Sequence, residues 1–258
     1  MRNKVRLFGI DVDALTKVEA IKLIMDWLKA DAYLCRYVVT PNVDHVVKLQ
    51  EHEGFREAYH AASLVLIDGK PVLVAARLLG ESIFETVPGS DLTIQVLEVA
   101  ASCENISVFL LGAAPGVGTK AVERIREQWP SVQVIGHYSP PFGFEREDAH
   151  SEYIIRQINE CAPDLLIVGL GAPKQEIWMH KHRHLTKTKV ALCVGAAIDF
   201  IAREKPRAPP WMRQIGMEWY YRLMSEPNRL AKRYAYDAWI FPRVLFNEFL
   251  KRKRTKFR

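Results

Sequence analysis

Among the residues able to do chemistry, Asp68 stands at the most suggestive position: it closes the apolar run SLVLI (residues 63–67) and is followed by Gly69 and Pro71. A carboxylate where a buried run ends and the chain turns can take the proton of an attacking hydroxyl group. It can equally serve the turn by bonding its own backbone, and Asp68 alone does not separate the two. The stretch GAAPGVGTK (residues 112–120) falls short of both phosphate-binding signatures, because Thr119 precedes Lys120 and the glycines do not space as G-x-G-x-x-G. It still offers backbone N–H groups at a helix start, which suits either a diphosphate or a plain turn. Asp11-Val12-Asp13 has the form of a metal-holding acid pair, yet it lies just before a helix-capping signal and reads as helix-entry acids. In HKHRH only His180 and His184 have helical ligand spacing, and no acid accompanies them. No metal or other cofactor is expected.

The elements that must position these residues follow a repeating pattern. Thr16 and Glu19 form a capping box ahead of Ala20, Ile21, Ile24, Trp27 and Leu28, the apolar side of an amphipathic helix. Residues 37–40 read as a buried strand, and Pro41-Asn42 opens a second helix with Val43, Val46, Val47 and Leu49 inward. Further apolar runs at 64–67, 107–111, 132–135, 165–168 and 190–194 repeat the strand and turn. This alternation implies a Rossmann-like α/β fold, a mostly parallel sheet flanked by helices. Ligands bind such sheets beyond the carboxyl ends of the strands. That directs attention to Thr40 and Asn42, Asp68, Gly112 and Gly116, Gly171 with Lys174 and Gln175, and Asp199. Strand signals stop at Ala202, and Pro206, Pro209 and Pro210 mark a boundary. The expected division is an α/β catalytic domain over 1–202 and a helical appendage over 203–258, with helices at 211–224, 227–236 and 242–251.

Composition sets the class. The 258 residues are 49% hydrophobic and 26% charged, ordinary for a globular protein and incompatible with disorder or a disulfide scaffold. Four separated cysteines without a C-x-x-C pair fit reduced thiols in the cytoplasm. The N-terminus meets acids before any apolar stretch, so no export signal is expected, and no apolar run approaches the ~20 residues of a membrane span. The net charge of +6 conceals a division: residues 203–258 hold 15 Lys+Arg against 5 Asp+Glu, while the rest holds 21 against 25. The same segment carries 11 of the 26 aromatic residues and ends in KRKRTKFR. Such a segment seeks an anionic partner, nucleic acid or an acidic lipid surface, and its Trp and Tyr content favours the lipid headgroup region. The stretch 236–250, with Trp239, Ile240, Phe241, Leu245, Phe246, Phe249 and Leu250, either lies in that interface or packs on the core.

Seven segments then share one order: TPNVDHV (40–46), LIDGKPV (66–72), VPGSDL (87–92), FLLGAAPGVG (109–118), PDLLIVGLGAPKQEIW (163–178), VGAAIDFIA (194–202) and RAPPWMRQIGMEWYYRLMSEPNRLAKRY (207–234). Together they resemble the WecG/TagA/CpsF family of bacterial glycosyltransferases, glycosyltransferase family 26, over nearly the whole chain. The resemblance implies an inverting enzyme that moves a sugar from a UDP-sugar to a sugar on undecaprenyl diphosphate, at the inner face of the cytoplasmic membrane, for surface polysaccharides. N-acetylmannosamine, its uronic acid and glucose are the donor sugars it suggests. It implies Asp68 as base with Thr40 and Asn42 beside it, Gln175 and Lys174 of GAPKQE at the site, and Arg222 and Arg229 as appendage arginines that meet the diphosphate, with Arg207 and Arg233 as further substrate-binding candidates. Inversion needs one in-line displacement, so a base and a stabiliser of the departing diphosphate suffice, and guanidinium forks can fill the second role. Three positions after Arg229, where the family often has another arginine, stands Lys232 followed by Arg233, leaving open which faces the site, and after Ala202, where a small residue is usual, stands Arg203 followed by Glu204. The implied partners are the UDP-sugar, the lipid-diphosphate acceptor and an anionic membrane surface, with no nucleic acid and room for a homo-oligomer. Outside this class two readings stand: a nucleotide-dependent oxidoreductase and a non-catalytic binder of anionic surfaces.

Overall fold

The computed structural model, described over residues 2–103 and 105–256, opens with an antiparallel hairpin of β1 (Lys4–Leu7) and β2 (Ile10–Asp13). Six further strands are β3 (Arg36–Val39), β4 (Leu64–Val65), β5 (Ser107–Gly112), β6 (Gln133–Tyr138), β7 (Leu165–Gly169) and β8 (Val190–Cys193). They form one parallel sheet in the order β4-β3-β8-β7-β5-β6. Along the interior strands, side chains alternate between two apolar layers. Tyr37, Val39, Phe109, Leu111, Leu166 and Val168 enter one, while Val38, Val108, Leu110, Leu165, Ile167 and Leu192 enter the other. With both faces covered, each strand needs apolar residues at every position, which is why these segments read as unbroken apolar runs.

The first layer is roofed by α2 (Val43–Glu51), α3 (Glu53–His60), α4 (Lys70–Leu78), α7 (Asp148–Cys161) and α8 (Lys174–His182). The second is roofed by α1 (Lys17–Lys29), α5 (Gly89–Ala100), α6 (Val117–Gln128) and α9 (Ala197–Ile201). After β3 the chain leaves through α2 on one face, and after the neighbouring β8 it leaves through α9 on the other. Strands whose helices depart on opposite faces leave a crevice between their carboxyl ends.

The capping box forms: the Thr16 hydroxyl accepts the Glu19 N–H at 3.3 Å and the Glu19 carboxylate accepts the Thr16 N–H at 2.8 Å. The hairpin corrects the reading of Asp11 and Asp13 as helix-entry acids. Both lie on β2, where Asp11 pairs with Arg6 at 2.9 Å and buried Asp13 accepts the Val65 N–H at 3.0 Å, so different partners hold them. The regular part of β4 is shorter than the apolar run 64–67, although the N–H groups of Leu66 and Asp68 still donate to the Val39 and Pro41 carbonyls at 3.0 and 2.9 Å.

Beyond residue 202 the chain is helical: α10 (Pro210–Ile215), α11 (Glu218–Ser225) and α12 (Pro227–Lys256). The helix expected at 211–224 is split at Gly216, whose φ of +82° caps α10. The two helices expected at 227–236 and 242–251 are one, with Pro242 inside it. Proline there removes one backbone hydrogen bond, but tertiary contacts hold the helix on both sides of it. Phe241, Val244 and Leu245 pack on the first layer, and Arg252 donates to the Leu79 carbonyl at 3.1 Å and pairs with Glu81. Phe257 and Arg258, the end of the basic tail, lie outside the described residues.

Asp13 ties the hairpin to the edge of the sheet. Asp13→Ala strands the buried Val65 N–H and should lower the urea-unfolding free energy by about 1–3 kcal/mol, whereas Asp13→Asn, which keeps an acceptor oxygen, should lose less.

Candidate active site

A cavity of about 400 Å³ opens at the β3/β8 crevice, within the size range of small-molecule sites. Its floor includes Asn42, Asp68, Ser90, Val194 and Ala196 from the ends of the sheet and the start of α5. Its roof comes from beyond residue 202: Arg213, Glu218, Trp219, Arg222, Arg233 and Asp237 all line it.

Asp68 is placed by the sheet edge. Its N–H is bonded to Pro41, and Gly69, at φ +93°, then reverses the chain into α4, a backbone shape that favours glycine. The Asp68 carboxylate is partly buried at the cavity floor, and burial pushes its pKa up to about 7. Glu218 pushes the same way, while Arg222 and a hydrogen bond from the Gly89 backbone pull against it. Gly89 begins α5 against Thr40: a Cβ there would lie 2.9 Å from the Thr40 hydroxyl and 3.0 Å from Val194, so a side chain would push the helix away. Thr40 itself is buried next to the cavity rather than on its wall. Asn42 lines the cavity and caps α2 by accepting the His45 N–H at 3.1 Å.

The other residues singled out by sequence are distributed around this crevice. Gln175 is buried, and its side-chain oxygen accepts the N–H groups of Gly171 and Gly195 at 3.2 and 3.1 Å while its amide donates to Glu176 at 2.8 Å. It thereby staples the β7 and β8 loops together. Behind it, burial pushes the Glu176 carboxyl up to about 7 and drives His45 down to about 4. Lys174 pairs with Glu145 at 2.6 Å and stands over the Phe142 ring at 4.3 Å, off the cavity wall. Gly112 ends β5, Gly116 caps the start of α6 and Gly171 follows β7, all along the same sheet edge and outside the cavity wall, and Asp199 pairs with Lys205 at 3.3 Å.

Among the arginines, Arg222 and Arg233 line the cavity. Arg207 pairs with Asp91 instead, and Arg229 is held by Glu226 at 2.6 Å. Of the two residues the sequence left open, Arg233 lines the cavity, 4.0 Å from Asp44, whereas Lys232 is exposed. The residues missed by sequence reasoning are Asp44, Ser90, Arg213, Glu218 and Asp237. Asp44 and Ser90 sit inside segments already singled out, two positions past Asn42 and just before Asp91. Arg213, Glu218 and Asp237 reach the site only through the packing of the distal helices, and burial with Asp44 beside it pushes Asp237 up to about 6. Among the described residues no group of three His, Cys, Asp or Glu side chains is placed to hold a metal ion. In HKHRH, Arg183 fills the space between the histidines, bonded to His180 at 3.1 Å and His184 at 3.0 Å.

A parallel α/β sheet whose crevice sets a carboxylate across from several guanidinium groups suits an enzyme that deprotonates a hydroxyl while holding an anionic leaving group. The chain belongs to the glycosyl transferase WecG/TagA/CpsF family, whose family model matches residues 5–255, and it is a glycosyltransferase. Among its relatives is the N-acetylglucosaminyldiphosphoundecaprenol N-acetyl-beta-D-mannosaminyltransferase of Staphylococcus aureus strain MRSA252, 29% identical over 89% of this chain and 87% of the relative. The protein of the same name from strain MW2 is 28% identical over the same shares. The oxidoreductase and the non-catalytic binder are left without support.

The raised Asp68 value has a stability consequence. The folded state holds this proton up to about pH 7, the unfolded chain only to about 3.8, so the carboxylate weakens the fold increasingly as pH rises between them. Asp68→Asn should therefore stabilise the protein at pH 8, by on the order of 1–3 kcal/mol, and make little difference at pH 3.5. Urea unfolding of both proteins at the two pH values checks this.

Proposed function

We propose that this enzyme transfers N-acetylmannosamine from its UDP donor to the N-acetylglucosamine of an undecaprenyl-diphosphate-linked acceptor, by one inverting displacement, in bacterial surface polysaccharide synthesis. The names of the curated relatives support the acceptor and the sugar.

The observation that carries the mechanism is Asp68, with its pKa near 7, on one wall of a cavity whose other wall bears Arg222 and Arg233. In the proposed reaction the acceptor hydroxyl gives its proton to Asp68 as its oxygen bonds to the anomeric carbon. The bond from that carbon to the diphosphate oxygen breaks, and the electron pair leaves with UDP. Arg222 and Arg233 meet the charge that develops there. Asn42 borders the acceptor with Thr40 buried behind the wall, and Gln175 holds the loops along which the donor lies, with Lys174, Gly112, Gly116, Gly171 and Asp199 on their rim. Arg207 and Arg229 brace the roof. The guanidinium groups take the place of an obligatory metal.

In this reading residues 203–258 close over the domain formed by residues 1–202 and hold the enzyme peripherally at the inner face of the cytoplasmic membrane. Exposed Trp239, Phe246 and Phe249 support that role, with the Arg243 guanidinium 3.7 Å over Trp239 and the Lys253 ammonium 4.8 Å over Phe249. Among the described residues no helix is long and apolar enough to cross a membrane.

UDP release in the presence of a short-chain lipid-diphosphate acceptor tests the chemistry. Asp68→Asn should reduce it by about 10³-fold while UDP still binds, and the parent rate should fall about tenfold per pH unit below 7 and withstand EDTA. Unchanged turnover in Asp68→Asn would remove Asp68 as the base. For the membrane role, the double variant Trp239→Ala, Phe246→Ala should no longer sediment with vesicles containing an anionic phospholipid, yet keep its rate on the soluble short-chain acceptor.

A further inference from the structure

The first turn of α5 holds an ion cluster that the reaction above does not use. Asp91 accepts from the guanidinium of Arg207, which also donates to the Ser90 hydroxyl at 3.1 Å, and from Arg213 at 3.1 Å. A third guanidinium, that of Arg222, shares the Phe200 ring with Arg207, at 5.9 and 5.8 Å from its centroid. Three guanidinium groups thus gather around one carboxylate and one ring. The cluster is partly shielded from water: the Nε atoms of Arg207 and Arg213 are buried, and no acceptor among the described residues reaches them. Of the two arginines on Asp91, only Arg213 lines the cavity.

A guanidinium presents five N–H donors in a rigid fork. Arg213 commits Nη1 to Asp91, which fixes the plane of the fork and leaves its other donors unused. The same helix turn also starts with Gly89, whose backbone bonds the Asp68 carboxylate. Gly89, Ser90 and Asp91 therefore join the two ends of the reaction: one end of this tripeptide holds the base, the other holds a cation on the opposite side of the cavity.

We propose that Arg213 is a further ligand of the leaving diphosphate and that Asp91 is its positioning residue. The inference rests on the reading of the cavity as a UDP-sugar site. As the bond to the anomeric carbon breaks, the electron pair passes to the departing diphosphate oxygen, and Arg213 meets that charge beside Arg222. Toward the diphosphate Asp91 acts through Arg213, while its pair with Arg207 braces the roof.

Calorimetric binding of UDP and of uridine to the full-length protein separates a diphosphate ligand from a brace of the fold. Arg213→Ala and Arg213→Lys should each weaken UDP binding by about 10- to 100-fold and leave uridine binding unchanged, because uridine lacks the diphosphate. Asp91→Asn should weaken UDP binding less, and the double variant Asp91→Asn, Arg213→Ala should bind as Arg213→Ala does. Added guanidinium ion should restore part of the transfer rate of Arg213→Ala and none of that of Asp68→Asn. UDP binding by Arg213→Ala within twofold of the parent, or equal losses for UDP and uridine, would overturn the assignment of Arg213. Additive losses in the double variant would overturn that of Asp91. A parent protein that binds no UDP would instead sink the donor reading itself.

Discussion

A carboxylate can act as a base only if it remains ionisable where water is scarce, and the crevice between β3 and β8 is organised around that conflict. Removing solvent from Asp68 and setting Glu218 near it both favour the protonated acid, while Arg222 and the hydrogen bond from Gly89 favour the anion. The balance falls near 7, where a carboxyl is far more basic than in water and still ionised in a useful fraction. Guanidinium groups from the distal helices offset the charge of the base before reaction. In the proposed chemistry the same groups stand across from the charge that the donor releases. The acid and the arginines are thus two parts of one electrostatic arrangement, in which Arg222 offsets some of the cost of ionising Asp68 away from water.

Backbone packing explains why the cations come from so far along the chain. The loops after β7 and β8 are drawn together by Gln175, whose carbonyl oxygen takes up the N–H groups of both Gly171 and Gly195. That interaction bridges the loops on either side of the β7/β8 gap, while the cavity opens at the β3/β8 gap. On that side α5 presses directly onto Thr40 and Val194 through Gly89, which brings Ser90 and Asp91 to the rim. Asp91 then anchors Arg207 and Arg213, so the segment that follows α9 is laid across the crevice by ion pairs that are partly screened from solvent. The roof is fixed to the same helix turn that supports Asp68.

Sequence reasoning recovered the parts of this arrangement that depend on local pattern. Doubly buried strands write continuous apolar runs, a capping box writes Thr16 and Glu19, and the rule that ligands lie beyond strand ends points to Asn42 and Asp68 without any knowledge of the packing. It failed where one element depends on a remote one. The β1 and β2 strands are only four residues each and alternate buried apolar with polar side chains, Val5 and Leu7 then Ile10 and Val12, too short a pattern to stand out beside the capping box, so Asp11 and Asp13 looked like the entry to a helix. Pro242 looked like a helix start because proline's local effect is clear, whereas the contacts of Phe241, Val244 and Arg252 that carry the helix through it are tertiary. Arg213, Glu218 and Asp237 share that difficulty, since nothing in their neighbours along the chain says which side of a distal helix will meet the sheet.

The division of α12 into two sides links these observations. At about 100° per residue, Arg233, Asp237, Phe241, Val244, Glu248 and Arg252 share one side of the helix, and each is at least partly buried against the domain or the cavity. Tyr236, Trp239, Arg243, Phe246, Leu250 and Lys253 share the opposite side, and all are exposed. A helix that only closed the cavity would gain nothing from large aromatic rings facing water, and a helix that only met a lipid surface would have no need of Asp237 and Arg233 on its inner side. Because one rigid element carries both sides, any surface that holds the outer stripe also fixes how far Arg233 and Asp237 stand from Asp44. In the proposed reading the acceptor arrives along that same surface, so the lipid that presents the substrate and the helix that completes the cavity are positioned by a single contact.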